Sequence, residues 1–135
     1  MNKWIYFQTR DELLRMNLQK VVYFEADSNY TNVYTVNNMK AVIGMNLGNT
    51  QEMLKHQTQE NMPIFMRIGK KYIVNTEYVC QIHIKKQKLV LSDFEHFTFS
   101  LPASREALKT IKDWYTNQLM AEHNKRRETT TVQEL

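Results

Sequence analysis

The residues of this chain best suited to chemistry are cations, and they gather in one stretch. In the run Phe65 to Val74, FMRIGKKYIV, Arg67 precedes the triplet Gly69-Lys70-Lys71, and apolar residues flank both sides. Lys85, Lys86 and Lys88 follow, while Glu77 is the only acidic residue between positions 65 and 90. Cations on a loop between two apolar strands have two uses. They solubilise a turn, or they grip a polyanion through local positive potential. The net charge of +4 decides little between these, because clustering rather than total charge sets the potential.

Other chemistries find less support. The three glycines, at 44, 48 and 69, form no phosphate-cradling motif. His56, His83, His96, His123 and the single Cys80 lack metal-ligand spacing, so neither a metal nor a cofactor is expected. Glu25 and Asp27 read as a solvated rim or turn pair rather than an acid–base dyad. No side chain resembles an activated nucleophile. The expectation is a protein that is not an enzyme and takes no small-molecule substrate. One cysteine excludes an internal disulfide framework, and the apolar run around Cys80 predicts a small buried hydrophobe. No stretch approaches membrane-spanning length and the N-terminus has no signal-like apolar region, which predicts a cytoplasmic protein with no membrane partner. The sequon Asn29-Tyr30-Thr31 is then accidental.

These side chains must be positioned by short strands. At 135 residues with 42% apolar content, the chain suits one domain with its own core. Strand-like runs occupy Trp4 to Phe7, Val21 to Phe24, Tyr30 to Val36 and Lys40 to Met45, with a tight turn at Asn37-Asn38. The unbroken apolar run at Val21 predicts a strand covered on both faces. Asn49 reads as a helix N-cap with Glu52 in capping-box position, the helix ending near Gln57 and broken by Asn61-Met62-Pro63. Further strands are predicted at Ile64 to Ile68, Tyr72 to Val74, Tyr78 to Ile84, Lys88 to Leu91 and Phe97 to Leu101, with Lys85-Lys86-Gln87 as a hairpin turn. A last helix follows Pro102, capped by Ser104, with Leu108, Ile111, Tyr115 and Leu119 on one stripe. The reading is a mainly β domain over 1–120, with a short mid-chain helix and a C-terminal helix. Residues 121–135 form a polar tail expected to fray or be disordered.

Three motifs in order resemble the LytTR family of DNA-binding domains. Val22-Tyr23-Phe24-Glu25-Ala26-Asp27-Ser28-Asn29-Tyr30 is similar to that family's hydrophobic–E-A-x-x-N-Y segment. Phe65 to Asn75 resembles its F-x-R-x-H-(R/K)-S-x-(I/L)-V-N segment, and Pro102, Ser104 and Arg105 resemble its closing P-x-S-R. Leu47, Glu52, Met53 and Leu54 suit the helix between them. The similarity spans roughly residues 4 to 115. It implies an elongated arrangement of small antiparallel sheets whose loops enter successive major grooves and bend the duplex.

Carried over position by position, the resemblance implies a transcriptional regulator of a two-component-like signalling type, reading DNA through Asp27 to Thr31, Gly69 to Lys71 and the turn at Ser104-Arg105. Arg105 is the first candidate for a guanine contact, because its fork matches O6 and N7. Lys70 is a candidate for a base or phosphate, and Asn29 and Thr31 for hydrogen bonds to either. Arg67, Lys71 and Ser104 complete the DNA-binding set, with Lys85, Lys86 and Lys88 as phosphate contacts or a solvated hairpin tip. The chain departs from the family at Gly69, where many members have His, and at Lys71, where many have Ser. Lys71 thereby favours phosphate contact over direct readout. No receiver module fits before residue 4, so switching by a receiver in cis is not expected of this chain. Its expected partners are double-stranded DNA and a second copy on repeated half-sites. The alternative is a protein-interaction module of a signalling system that retains the fold. Single-stranded RNA binding would need exposed aromatic platforms, whereas the aromatics here sit in apolar runs.

Overall fold

The computed structural model describes residues 4–58 and 64–134, with side chains as far as residue 127. The expected helix break at Asn61-Met62-Pro63 lies outside the described residues. Among the described residues, ten strands make three antiparallel sheets, accompanied by two α-helices. The mainly β class with a mid-chain and a C-terminal helix is as the sequence predicts.

The first sheet is a hairpin of β1 (Trp4–Gln8) and β2 (Leu13–Asn17). The second has five strands in the order β5 (Lys40–Ile43), β4 (Tyr30–Thr35), β3 (Val21–Asp27), β7 (Tyr72–Asn75) and β6 (Phe65–Ile68). The third runs β10 (Thr98–Pro102), β9 (Lys88–Ser92), β8 (Val79–His83). Helix α1 (Leu47–Thr58) links β5 to β6, and α2 (Arg105–Glu134) closes the described chain.

Central strand β3 explains the layering. Val21 to Phe24 are all buried because the strand feeds two cores, Val21 and Phe24 one and Val22 and Tyr23 the other, with the register shift between Val21 and Tyr23 interrupting simple alternation. Phe24 joins Ile5, Phe7, Val33, Leu47, Leu54 and Ile73 on the side covered by the β1–β2 hairpin and α1. Val22 and Tyr23 join Ile68, Leu89, Leu91, Leu101, Leu108 and Ile111 on the side covered by the third sheet and α2. Tyr23 stacks on Tyr34 with centroids 4.5 Å apart and meets Phe99 edge-on at 5.2 Å. Burial, aided by Tyr34 and Glu25 beside it, drives the Tyr23 hydroxyl pKa far above its ordinary value. Tyr23 therefore serves this layer as a neutral ring.

Four local readings are corrected. Asn46, not Asn49, caps α1: its Oδ1 accepts from the Asn49 N–H at 2.8 Å, and the helix starts at Leu47. Strand β2 has no counterpart among the sequence-read strands. Cys80 is exposed, because the register of β8 on β9 shifts between Val79 and Gln81 and this irregularity turns the thiol outward. Leu119 is exposed by 66%, because α2 outruns the sheets it packs against. The stripe ends at Tyr115, whose hydroxyl donates to the Thr76 carbonyl and whose pKa burial pushes up to about 12.

Candidate nucleic-acid interface

Two hairpin turns meet at one end of the five-stranded sheet. Asp27 pairs with Tyr30, leaving Ser28 and Asn29 as the β3–β4 turn, and Ser28 adopts φ 57°. Ile68 pairs with Tyr72, leaving Gly69, Lys70 and Lys71 as the β6–β7 turn. Gly69 sits at φ 62°, and a Cβ there would meet nothing within 4 Å. Backbone conformation rather than crowding therefore favours glycine at this position. The Ala26 N–H donates to the Lys71 carbonyl at 2.8 Å, which ties one turn to the other.

Arg67 makes the second turn rigid. Its Nε donates to the Gly69 carbonyl and one terminal nitrogen to the Lys70 carbonyl, each at 3.0 Å. The other terminal nitrogen donates to Gln51 Oε1 on α1 at 3.0 Å. The guanidinium thus braces the turn against α1. Gln51 was not singled out by sequence, since only the folded register brings it to Arg67.

The side chains differ in what they can reach. Asn29, Lys70 and Lys71 are exposed. Lys71 Nζ lies 3.9 Å from Glu25 and 5.6 Å from the Tyr72 ring centroid, and Glu25 also accepts from the Tyr34 hydroxyl at 3.3 Å. Glu25 thus has a lysine and a phenol hydroxyl as its neighbours. Thr31 is a correction: it is fully buried, donates to the Met45 carbonyl at 2.9 Å and accepts from Thr50 Oγ1 at 3.1 Å. It ties β4 to the start of α1 and presents no group to a ligand. Tyr30, read as core or rim, is 55% exposed beside Asn29.

A second cationic cluster lies at one end of the third sheet. Lys85 and Lys86 are exposed on the β8–β9 turn and Lys88 is half-buried at the start of β9. The Ala103 N–H donates to the Gln87 carbonyl at 3.1 Å, which brings the 103–105 junction against this turn. Ser104 Oγ accepts from the Ala107 N–H at 3.1 Å, the N-cap expected of it. Its hydroxyl is therefore occupied, while Arg105 stands exposed in the first turn of α2.

The opposite ends of both sheets are joined. The β4–β5 turn reaches the 93–97 loop through Asn38 Nδ2, which donates to the His96 carbonyl at 3.3 Å. The cationic turns lie at the other ends of the same sheets. Among the described residues no group of three His, Cys, Asp or Glu is placed to hold a metal, and no helix is long and apolar enough to cross a membrane.

A family model described as LytTr DNA-binding domain matches residues 11–116. Among solved structures, the chain is similar to one named as the LytTr DNA-binding domain of a putative methyl-accepting/DNA response regulator from Bacillus cereus. The TM-score is 0.58 and the identity 18%, with 84% of this chain and 96% of that one covered. A search of curated proteins finds no match. At that identity the solved structure speaks for the fold, and the family match over most of the chain speaks for kinship: the chain belongs to the LytTR family of DNA-binding domains.

Proposed function

We propose that this chain is a cytoplasmic transcriptional regulator that binds double-stranded DNA sequence-specifically, with its cationic turns entering the major groove. The observation that carries this reading is the pair of turns at Asn29 and Gly69–Lys71, locked together by the Ala26–Lys71 hydrogen bond and braced by Arg67. Ligand-approaching side chains on a pre-formed support lose less entropy on binding than side chains on a free loop.

Lys70, with an exposed side chain, takes a base edge or phosphate, and Lys71 takes a phosphate, exchanging its weak tie to Glu25 for a stronger one. Asn29 reaches base edges or backbone from the neighbouring turn. Arg105 reads guanine from the α2 junction. Lys85, Lys86 and Lys88 clamp the flanking backbone. A second copy on a repeated half-site would follow the same pattern. The DNA chemistry needs no cofactor and no small-molecule substrate.

Lys70→Ala and Lys71→Ala test the reading in a salt series on duplex DNA. The log–log slope should become shallower by about one for every phosphate the variant no longer neutralises. Lys71→Ala weakens all duplexes about equally. Unchanged slopes in both variants would place the Gly69–Lys71 turn off the DNA and favour the alternative, a protein-interaction module. That alternative draws support from α2, whose far half presents exposed residues such as Leu119 and Met120.

A further inference from the structure

The loop between β9 and β10 holds a costly arrangement that the DNA reading does not use. Phe94 is 85% exposed and adopts φ 65°. A bulky side chain rarely takes that backbone region, and it persists only where the surroundings over-determine it. Here they do. Asp93 Oδ1 accepts from the backbone N–H groups of Glu95, His96 and Phe97 at 3.0, 2.7 and 3.2 Å. Ser92 Oγ accepts from the Phe94 N–H at 2.9 Å. The loop is built to hold an aromatic ring out in water, with the exposed Glu95 carboxylate beside it.

Next to this knob lies its complement. A groove of about 580 Å³ opens between the β1–β2 hairpin and the β4–β5 turn, walled by Leu14, Met16, Val36 and Met39. Its rim is cationic: Lys20 is exposed, and the Arg15 guanidinium stacks 3.7 Å above the Trp4 ring. The Asn38–His96 hydrogen bond joins the turn that forms one wall of the groove to the loop that carries the knob. Phe94 does not fill its own groove, as its exposure shows.

We infer that this pole is a self-association surface, in which Phe94 of one copy seats in the groove of a second copy while the second copy returns the same contact. A knob and a groove side by side on one pole satisfy a twofold axis, where each contact occurs twice. Charge agrees with shape: Glu95 of one copy meets the Lys20 and Arg15 rim of the other. An exposed aromatic anchor entering a groove with apolar walls is the kind of contact that dominates an interface. The surface lies at the ends of the sheets opposite the cationic turns, so it is independent of the DNA reading and stands or falls separately.

Sedimentation of the full chain over a concentration series tests this. The wild type is expected to dimerise, and Phe94→Gly to weaken self-association by more than about tenfold. Its melting temperature at dilute concentration should hold or rise, since glycine accepts φ 65° without strain. Lys20→Glu should also weaken the dimer. The double variant Lys20→Glu with Glu95→Lys should restore it, because each altered charge then faces its altered mate across the axis. A wild type that stays monomeric to several hundred micromolar overturns the inference, as does a dimer that Phe94→Gly and Lys20→Glu leave untouched.

Discussion

Arg105 lies at a junction fixed by two local interactions, the Ser104 cap and the Ala103–Gln87 hydrogen bond. These bonds fix where the Arg105 backbone sits and leave its exposed side chain to extend from there, and a bidentate guanine contact supplies about 1–3 kcal/mol of discrimination. Arg105→Ala should therefore lower affinity for a preferred duplex by roughly ten- to a hundredfold. Affinity for unrelated duplexes and the melting temperature should scarcely change. Arg105→Lys should recover only part. A parallel fall in both affinities would mean that Arg105 holds a phosphate instead. Another residue-level prediction concerns the Asp93–His96 pair, 2.9 Å apart. The side-chain hydrogen bond to Asp93 raises the His96 pKa. Partial burial of the Asp93 carboxylate opposes its ionisation, but the N–H donors and the His96 ring override this and hold its pKa far below the usual range. His96 thus adds stability that is complete below about pH 6.5 and is lost as pH rises through its raised pKa. Asp93 adds stability that is present above about pH 4 and is lost only in stronger acid. The melting-temperature gap between wild type and His96→Gln should therefore close on going from about pH 6 to pH 8. A gap that stays constant across that range would rule out the charged pair. Sequence showed the types of these residues but not their register. Thr31 and Arg67 both read as DNA contacts; Thr31 lies buried, and Arg67 is hydrogen-bonded to its own turn and to α1. Both outcomes depend on partners, Met45 and Gln51, that lie 14 and 16 positions away.

At the scale of elements, the braced turn and the C-terminal helix make separable predictions. If Arg67 acts by holding Gly69 and Lys70, Arg67→Ala should weaken duplex binding by about tenfold, the worth of one or two hydrogen bonds, with the salt slope unchanged. Gln51→Leu should produce a smaller effect of the same kind, since Arg67 keeps its two bonds to the turn. A slope shallower by about one in Arg67→Ala would instead identify it as a phosphate ligand. Ile111 is fully buried between α2 and the sheets, so Ile111→Ala should cost roughly 2–4 kcal/mol by chemical denaturation. Helix α2 continues through Glu134. We propose that its end nevertheless frays, and that truncation after Lys125 leaves the melting temperature nearly unchanged. A truncation that unfolds the domain would show that this segment docks. The elements themselves were largely legible. Apolar runs marked β1, β3, β7 and β9, alternation marked β4, and polar residues marked their turns. Strand β2 escaped because the outward Leu13 beside the inward Leu14 and Met16 blurs its alternation, and none of its residues is fully buried. Asn49 displaced Asn46 as the cap because Glu52 completes a capping box only on paper, while Asn46, three residues past the end of β5, is the side chain that reaches back over the first turn to the Asn49 N–H.

At the scale of the whole molecule, the five-stranded and three-stranded sheets form a scaffold with unlike ends. One set of strand ends bears Asn29, Lys70, Lys71, Lys85, Lys86 and Arg105. The other bears Phe94 and the groove beside it. A net charge of +4 is modest, and its placement on the turns is what would draw a duplex to one side. The most direct test of the central claim is a ratio. Duplexes selected from a random library by the full chain should be bound, at one fixed near-physiological salt concentration, at least about a thousandfold tighter than scrambled duplexes of equal length. Equal affinities for selected and scrambled duplexes, or no salt-dependent binding to either, would contradict sequence-specific recognition by this chain.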